Sequence, residues 1–166
     1  MPRYLYLLRH AESNSKQLNE IDKERSLSSR GIKEALMMGA YLLKKKTVLN
    51  IIMSSTALRA LTTANLITES LKIDSEKISP QDDLYEASPR TFHQFISQLD
   101  DDHQQVMCVA HNPTISYVAE FFTASEIGDM APGGLCIIKF DIDSWKEVGQ
   151  GNGELERYLF PDMLVD

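Results

Sequence analysis

The chain has 166 residues, of which 43% are hydrophobic and 25% charged, a composition typical of a globular protein and not of a disordered one. Its 17 Lys and Arg against 24 Asp and Glu give a net charge of −7. An acidic protein repels phosphate groups at long range, which disfavours nucleic acid and anionic membranes as partners. The length predicts a single domain over residues 1–166.

The cysteines and the N-terminal segment indicate the compartment. Cys108 and Cys136 both lie in apolar, strand-like runs, a setting typical of buried free thiols in a reducing compartment, with a disulfide as the alternative. The apolar run at the N-terminus is too short for a secretory signal, and no stretch has the length of a membrane span. The sequence therefore predicts a cytoplasmic protein.

Apolar runs alternate with segments of helical periodicity along the chain. The first strand is predicted at residues 4–8 and the first helix at 28–46, with Ser28 as its N-cap. A strand at 50–53 precedes a helix capped by Ser54 or Ser55, and a helix capped by Ser88 begins at Pro89. Further strands are predicted at 106–110, 134–140 and, as an antiparallel edge strand, 154–160, with a helix after Pro113. This alternation predicts an α/β sandwich with a mainly parallel sheet.

Cationic or potentially cationic side chains follow the strands of this predicted sheet. Arg9 and His10 come directly after the first strand, Arg59 opens the helix after the second, and His111 follows the strand at 106–110. Each alone is typical of a structural or surface residue. Since the carboxyl ends of parallel strands meet at one edge, we expect all four together, where helix N-termini add N–H donors. The sequence therefore predicts a pocket for a phosphoryl group.

Five motifs occur in order between residues 4 and 160. They read LRHAES at 8–13, RSLSSRG at 25–31, MSSTALRALTTA at 53–64, LYEAS at 84–88 and VAHNP at 109–113. Together with Trp145 they resemble the histidine phosphatase superfamily, and within it the SixA-type phosphohistidine phosphatases. The resemblance implies a three-layer α/β/α sandwich of phosphoglycerate-mutase-like fold, with no cap domain.

The resemblance also implies roles for the residues at the predicted pocket. His10 would be the nucleophile, attacking phosphorus through a neutral ring nitrogen and becoming a transient phosphohistidine. Arg9 and Arg59 would hold the non-bridging oxygens, because planar guanidinium groups match phosphate geometry. His111 would serve both binding and catalysis as a further donor to those oxygens.

Two more residues are assigned by the same resemblance. Glu86 would donate a proton to the leaving group, its alternative being a solvent-exposed loop carboxylate. Arg25 matches a position that can face the phosphate pocket, or it is a surface cation. No metal or cofactor is implied, because the fixed cations would stabilise the phosphoryl oxygens, and the carboxylates at 100–102 are expected to point into water.

The leading hypothesis is a metal-independent phosphatase that works through phospho-His10 on a phosphorylated protein, with phosphohistidine as the substrate group. The chain has no long insertion to cover the pocket, which favours a macromolecular substrate. Two alternatives stay open at this point. One is a phosphatase for a small phosphate ester, and the other is a phosphate-binding sensor module without turnover.

Overall fold

The strands and helices predicted from apolar periodicity form a single sheet with helices packed on it. The computed structural model describes residues 1–165. The strands are β1 (Arg3–Arg9), β2 (Ile51–Ser55), β3 (Ile78–Gln81), β4 (Gln105–Ala110), β5 (Leu135–Phe140) and β6 (Gly153–Leu159). The helices are α1 (Ser29–Lys44), α2 (Leu58–Leu71), α3 (Pro89–Ser97) and α4 (Thr114–Thr123). None of the helices described is both long and apolar enough to span a membrane.

The sheet is mainly parallel, as predicted. Its strand order is β3-β2-β4-β1-β5-β6. Parallel pairing joins β3 to β2, β2 to β4 and β4 to β1, whereas β5 pairs antiparallel with both β1 and β6. β6 is therefore an antiparallel edge strand, which confirms that prediction. Because β1, β4 and β2 are parallel neighbours, their carboxyl ends lie side by side.

Side-chain alternation along the central strand divides the core into two layers. Leu5 and Leu7 pack with α3 and α4 residues on one face, while Tyr6 and Leu8 pack with α1 and α2 residues on the other. A strand buried on both faces is expected to be apolar throughout, as β1 is. The result is the predicted three-layer α/β/α sandwich, and no separate cap domain is built from residues 1–165.

The serine N-caps agree with the predictions for two of three helices. Ser28 accepts the N–H of Gly31 at 3.0 Å, and Ser88 accepts that of Thr91 at 3.1 Å. The predicted start of α2 was wrong: Ser54 and Ser55 are the last residues of β2, and the N-cap is Ala57, without a side-chain cap. Ser55 still accepts the Ala57 N–H at 3.2 Å.

The structure corrects one strand and supports the reading of the cysteines. The four-residue strand β3 was not predicted, because a short run that contains Pro80 lacks the strand pattern. Proline is tolerated there because β3 lies at the edge of the sheet. Cys108 and Cys136 are both free and buried. The cytoplasmic location stays a prediction.

Candidate active site

The two arginines and two histidines that were predicted to meet do so at the carboxyl ends of three neighbouring strands. Arg9 ends β1, His10 follows it, and the His10 N–H donates to the carbonyl oxygen of Ala110 at the end of β4, 3.2 Å away. The rings of His10 and His111 lie 5.0 Å apart between centroids. Arg59 reaches the same place from the first turn of α2.

These residues line a cavity of about 320 Å³. The two residues assigned only by resemblance, Arg25 and Glu86, line it as well. Four side chains outside the predicted set complete the wall: Ser13, Asp22, Tyr85 and Asn112. The structure therefore brings every predicted site residue to one cavity.

His10 is held as a neutral imidazole with a defined tautomer. Its Nδ1 lies 2.7 Å from the carbonyl oxygen of Ala11, and because a carbonyl can only accept, Nδ1 carries the proton. Burial, aided by the charges of Arg59 and Arg9, lowers the pKa of His10 to about 4. The hydrogen bond to the Ala11 carbonyl acts in the opposite direction and raises the pKa. At neutral pH, Nε2 is therefore unprotonated and has a free electron pair.

His111 is neutral for the same physical reason. Burial, followed by the proximity of His10 and Arg59, lowers its pKa to about 3. Its Nε2 lies 2.7 Å from the hydroxyl oxygen of Ser55, the last residue of β2. When that hydroxyl donates to Nε2, the N–H of the neutral ring is on Nδ1 and is free to donate elsewhere.

The three guanidinium groups of the cavity are held in different ways. Arg9 donates from one terminal nitrogen to the carbonyl oxygen of Met130 at 2.7 Å, and its buried Nε has no partner within residues 1–165. Burial lowers the pKa of Arg9. Arg59 donates from both terminal nitrogens to Asp22, to the carbonyl oxygen at 2.8 Å and to Oδ2 at 3.1 Å. Arg25 donates to Asp22 Oδ1 at 3.1 Å and to the hydroxyl of Ser13 at 2.9 Å.

Of the four lining residues that were not predicted, Asp22 is the one that contacts both Arg25 and Arg59. Its carboxylate accepts from Arg25, Arg59 and the hydroxyl of Tyr85, the last at 2.6 Å. Asp22 belongs to a charged turn, Asp22–Glu24, and such a turn is typical of a solvated loop. The one signal in the sequence was the three-residue spacing of Asp22 and Arg25, which allows an ion pair across a turn.

Glu86 lies on the wall of the cavity but takes no part in this network. The residue is exposed, and its carboxylate forms no hydrogen bond or ion pair with any residue of the described part of the chain.

The acidic stretch at 100–102 lies apart from the cavity. Its Asp101 accepts hydrogen bonds from the backbone and side chain of the 144–145 turn, each at 2.8 Å. No group of three or more metal-ligating side chains was found among residues 1–165.

The sequence of the chain matches a protein-family model over more than half of its length. The model of the histidine phosphatase superfamily (branch 1) matches residues 5–93. The chain belongs to this superfamily. The match includes Arg9, His10, Arg25, Arg59 and Glu86, and His111 lies beyond it.

Solved structures of three phosphatases superpose over nearly the whole chain. A protein assigned as the phosphohistidine phosphatase SixA from Agrobacterium tumefaciens is 25% identical, with 96% of this chain and 98% of that one covered and a TM-score of 0.82. The protein histidine phosphatase SixA in complex with tungstate is 19% identical, with 98% and 99% covered and a TM-score of 0.83. A mycobacterial glucosyl-3-phosphoglycerate phosphatase is 15% identical, with 94% and 98% covered and a TM-score of 0.68.

One sequence relative is an uncharacterised protein from Mycobacterium leprae. It is 34% identical over 104 residues. The match covers 63% of this chain and spans 62% of the length of that protein. The shared fold and the family of this chain thus rest on the superfamily match and on the solved structures.

Proposed function

We propose that this protein is a metal-independent phosphatase that forms a phosphohistidine on His10 and takes its phosphoryl group from phosphohistidine on another protein. One observation carries the proposal. A neutral histidine, whose Nδ1–H is fixed by the Ala11 carbonyl, shares a cavity of about 320 Å³ with three guanidinium groups. An uncharged nucleophile beside fixed cations is what attack on a dianionic phosphoryl group requires.

Two displacements account for turnover. In the first, the electron pair on His10 Nε2 forms a bond to phosphorus, and the bond from phosphorus to the leaving nitrogen breaks with its electron pair going to that nitrogen. The leaving imidazole takes up a proton. In the second, water attacks the phosphorus of phospho-His10, inorganic phosphate departs, the water proton passes to a base or solvent, and Nε2 regains its electron pair.

The surrounding groups stabilise the phosphoryl oxygens in both steps. Arg9 and Arg59, with Arg25 beside them, supply planar N–H donors whose geometry matches three equatorial oxygens. Neutral His111 supplies one further N–H from its free ring nitrogen. These donors are already fixed by Met130, Asp22 and Ser55, so little reorganisation is needed when charge shifts in the transition state.

The shape of the site supports a protein substrate. The cavity lies at the edge of the sheet, and no cap domain built from residues 1–165 covers it. A phosphorylated side chain on a folded surface can reach such a site. The similarity to SixA structures over 96% to 98% of this chain supports the same substrate class.

The position of Glu86 favours a second candidate function, hydrolysis of a small phosphate ester. When it is protonated, an exposed carboxyl group on the cavity wall can donate its proton to an alkoxide leaving group, and the resulting carboxylate can then accept a proton from water. An ester depends on such a proton more than a phosphohistidine does, because an imidazole is the better leaving group once protonated.

The test is release of phosphate from a phosphohistidine-bearing protein and from an aryl phosphate, measured side by side in EDTA. We expect faster release from the phosphoprotein, no effect of EDTA, and a loss of at least about 10³-fold in His10→Ala. His103→Ala is the matched control, because this histidine lies at the opposite end of β4 from the cavity. Full activity of His10→Ala would contradict the mechanism.

The other outcomes distinguish the alternatives. Faster release from small esters than from the phosphoprotein would favour the second candidate, and Glu86→Gln should then slow ester hydrolysis more than phosphohistidine hydrolysis. Tight binding of the phosphoprotein with no release of phosphate would favour a sensor module.

A further inference from the structure

A carboxylate stands among the cations of the proposed phosphate pocket. Asp22 lines the cavity together with Arg25 and Arg59 and forms an ion pair of 3.1 Å with each. The Tyr85 hydrogen bond, together with both guanidinium groups, holds the pKa of Asp22 well below its usual range, so it is ionised at neutral pH. A negative charge in this position needs an explanation, because it repels a phosphoryl group.

Two effects of opposite sign follow from this placement. As a charge, Asp22 weakens the binding of an anion, and its removal should strengthen that binding. As a hydrogen-bond acceptor, it fixes the directions of two guanidinium groups, and its removal should weaken binding because flexible arginines lose side-chain entropy when the anion binds. Whether the affinity for an anion rises or falls when Asp22 is replaced therefore shows which effect is larger.

The contacts of residue 22 favour orientation. Its Oδ1 accepts from Arg25, its Oδ2 from Arg59, and its backbone carbonyl from the other terminal nitrogen of Arg59 at 2.8 Å. One residue therefore sets the position of both groups relative to each other. A guanidinium has five N–H donors. Arg59 uses only two of them for Asp22, so donors remain for phosphoryl oxygens.

Tyr85 extends the same arrangement to the other wall of the cavity. Its hydroxyl donates to Asp22 Oδ2 at 2.6 Å, and its ring packs edge-on against His111 with 5.7 Å between centroids. Asp22 thus connects the arginines with the loop that carries Tyr85 and Glu86.

We propose that Asp22 is a positioning residue of the phosphate pocket, whose alignment of Arg25 and Arg59 contributes more to anion affinity than its negative charge removes. The inference rests on the proposed function, because it concerns the same pocket. It predicts that an anion binds less tightly when this carboxylate is neutralised, although the pocket becomes more positive.

The chain offers a control for a merely structural role. Lys23, the next residue in the same turn, forms an ion pair of 2.9 Å with Asp82, which also accepts from the Thr56 hydroxyl at 2.6 Å. This second contact ties the turn to the rest of the protein but touches no arginine. If Asp22 acts only as a tether, removing either contact should have the same effect.

The experiment is titration calorimetry of inorganic phosphate into the full chain and four variants. For Asp22→Ala and Asp22→Asn we expect Kd to rise by about tenfold or more, and for Tyr85→Phe, which lacks one hydroxyl, by a few-fold, about two to five. Asp82→Ala should stay within about twofold of the wild type. Urea unfolding of each variant shows whether it is folded. If Asp22→Ala does not fold, Tyr85→Phe still tests the proposal, because it removes only one hydrogen bond to Asp22.

Several results would overturn the inference. Tighter or unchanged phosphate binding in Asp22→Asn would show that charge dominates or that orientation contributes nothing. If Asp82→Ala weakened phosphate binding as much, Asp22 would only attach the turn to the rest of the protein. If the wild type binds no phosphate, the proposed function fails together with the inference, whereas binding without turnover would remove the catalytic proposal and leave the role of Asp22 intact.

Discussion

The chemistry of His10 depends on which of its ring nitrogens carries the proton. The Ala11 carbonyl, 2.7 Å from Nδ1, fixes the proton there and leaves Nε2 with its electron pair. Burial keeps the ring uncharged, since a buried imidazolium would lose its hydration beside three guanidinium groups. The same burial therefore produces the pKa shift and leaves the unprotonated nitrogen that the proposed mechanism requires.

We expect neither histidine of the pair to titrate near the usual value of about 6.5. Burial lowers the pKa of His10 to about 4 and that of His111 to about 3. A nitrogen-15 NMR titration should show both rings neutral from pH 7 to pH 5, with the His10 proton on Nδ1. A midpoint near 6.5 for either ring would contradict the described burial.

The same shifts set the pH dependence of stability. As pH falls from 6.5 towards 4, the unfolded chain binds protons that the folded protein does not, so the free energy of unfolding falls. Well above pH 6.5 the two histidines are neutral in both states and contribute no slope. Urea unfolding at several pH values should show this decline, and the double variant His10→Gln, His111→Gln should show a shallower one.

At the scale of elements, the N-terminus of α1 holds the loop that follows His10. The Ser28 N–H donates to the Glu12 carbonyl oxygen at 3.0 Å, and the Glu12 N–H donates to the carboxylate of Glu34 at 2.9 Å. Gly31 packs directly on this loop: a Cβ added there would overlap the Glu12 carbonyl oxygen. Because that obstacle is backbone, it cannot move without shifting the loop.

Gly31→Ala should therefore lower the free energy of unfolding by about 1–3 kcal/mol and reduce phosphatase activity through the His10 loop. The matched control is Gly149→Ala, whose added Cβ meets no atom within 4 Å; it should change stability by less than about 0.5 kcal/mol. Urea unfolding and phosphate release measure the two effects. Equal stability of the two variants would show that the close approach at Gly31 is not a constraint.

The elements that the sequence predicted correctly are those whose pattern is strong. β1 and β4 are apolar runs buried on both faces, and Ser28 and Ser88 cap helices with clear periodicity. Ser54 and Ser55 were misassigned because their hydroxyls suit a helix cap, whereas tertiary structure places Ser55 at the end of a strand and against His111. The helix-capping propensity of a serine gives no information about such a contact with a residue far along the chain.

At the scale of the whole molecule, sheet topology assembles the site. The strands β2, β4 and β1 are neighbours, so residues as distant in sequence as His10, Arg59 and His111 meet at one edge. The alternation of strands and helices was enough to predict this meeting. Asp22 could not be predicted in this way, because it comes from the long segment between β1 and α1, whose path the periodicity of the sequence does not specify.

The charge around the cavity is opposite in sign to the net charge of the molecule. The chain has a net charge of −7, yet the cavity gathers three arginines against two carboxylates, Asp22 and Glu86. Local cations can thus hold a phosphoryl group while the long-range field stays negative, as expected for a pocket whose low-dielectric walls strengthen nearby charges. That residues 1–166 form one domain stays a prediction.

The most direct test of nucleophilic attack by His10 is to trap the phosphoenzyme. Wild-type protein mixed with a phosphohistidine-bearing protein in EDTA, quenched rapidly at alkaline pH and digested, should yield a peptide containing His10 that carries one phosphoryl group by mass spectrometry. The modification should be lost in acid, as expected of a phosphorus–nitrogen bond, and should be absent from His10→Ala but present in His103→Ala. Turnover by the wild type with no phosphorylated His10 peptide, or with the phosphoryl group on another residue, would contradict a phosphohistidine intermediate on His10.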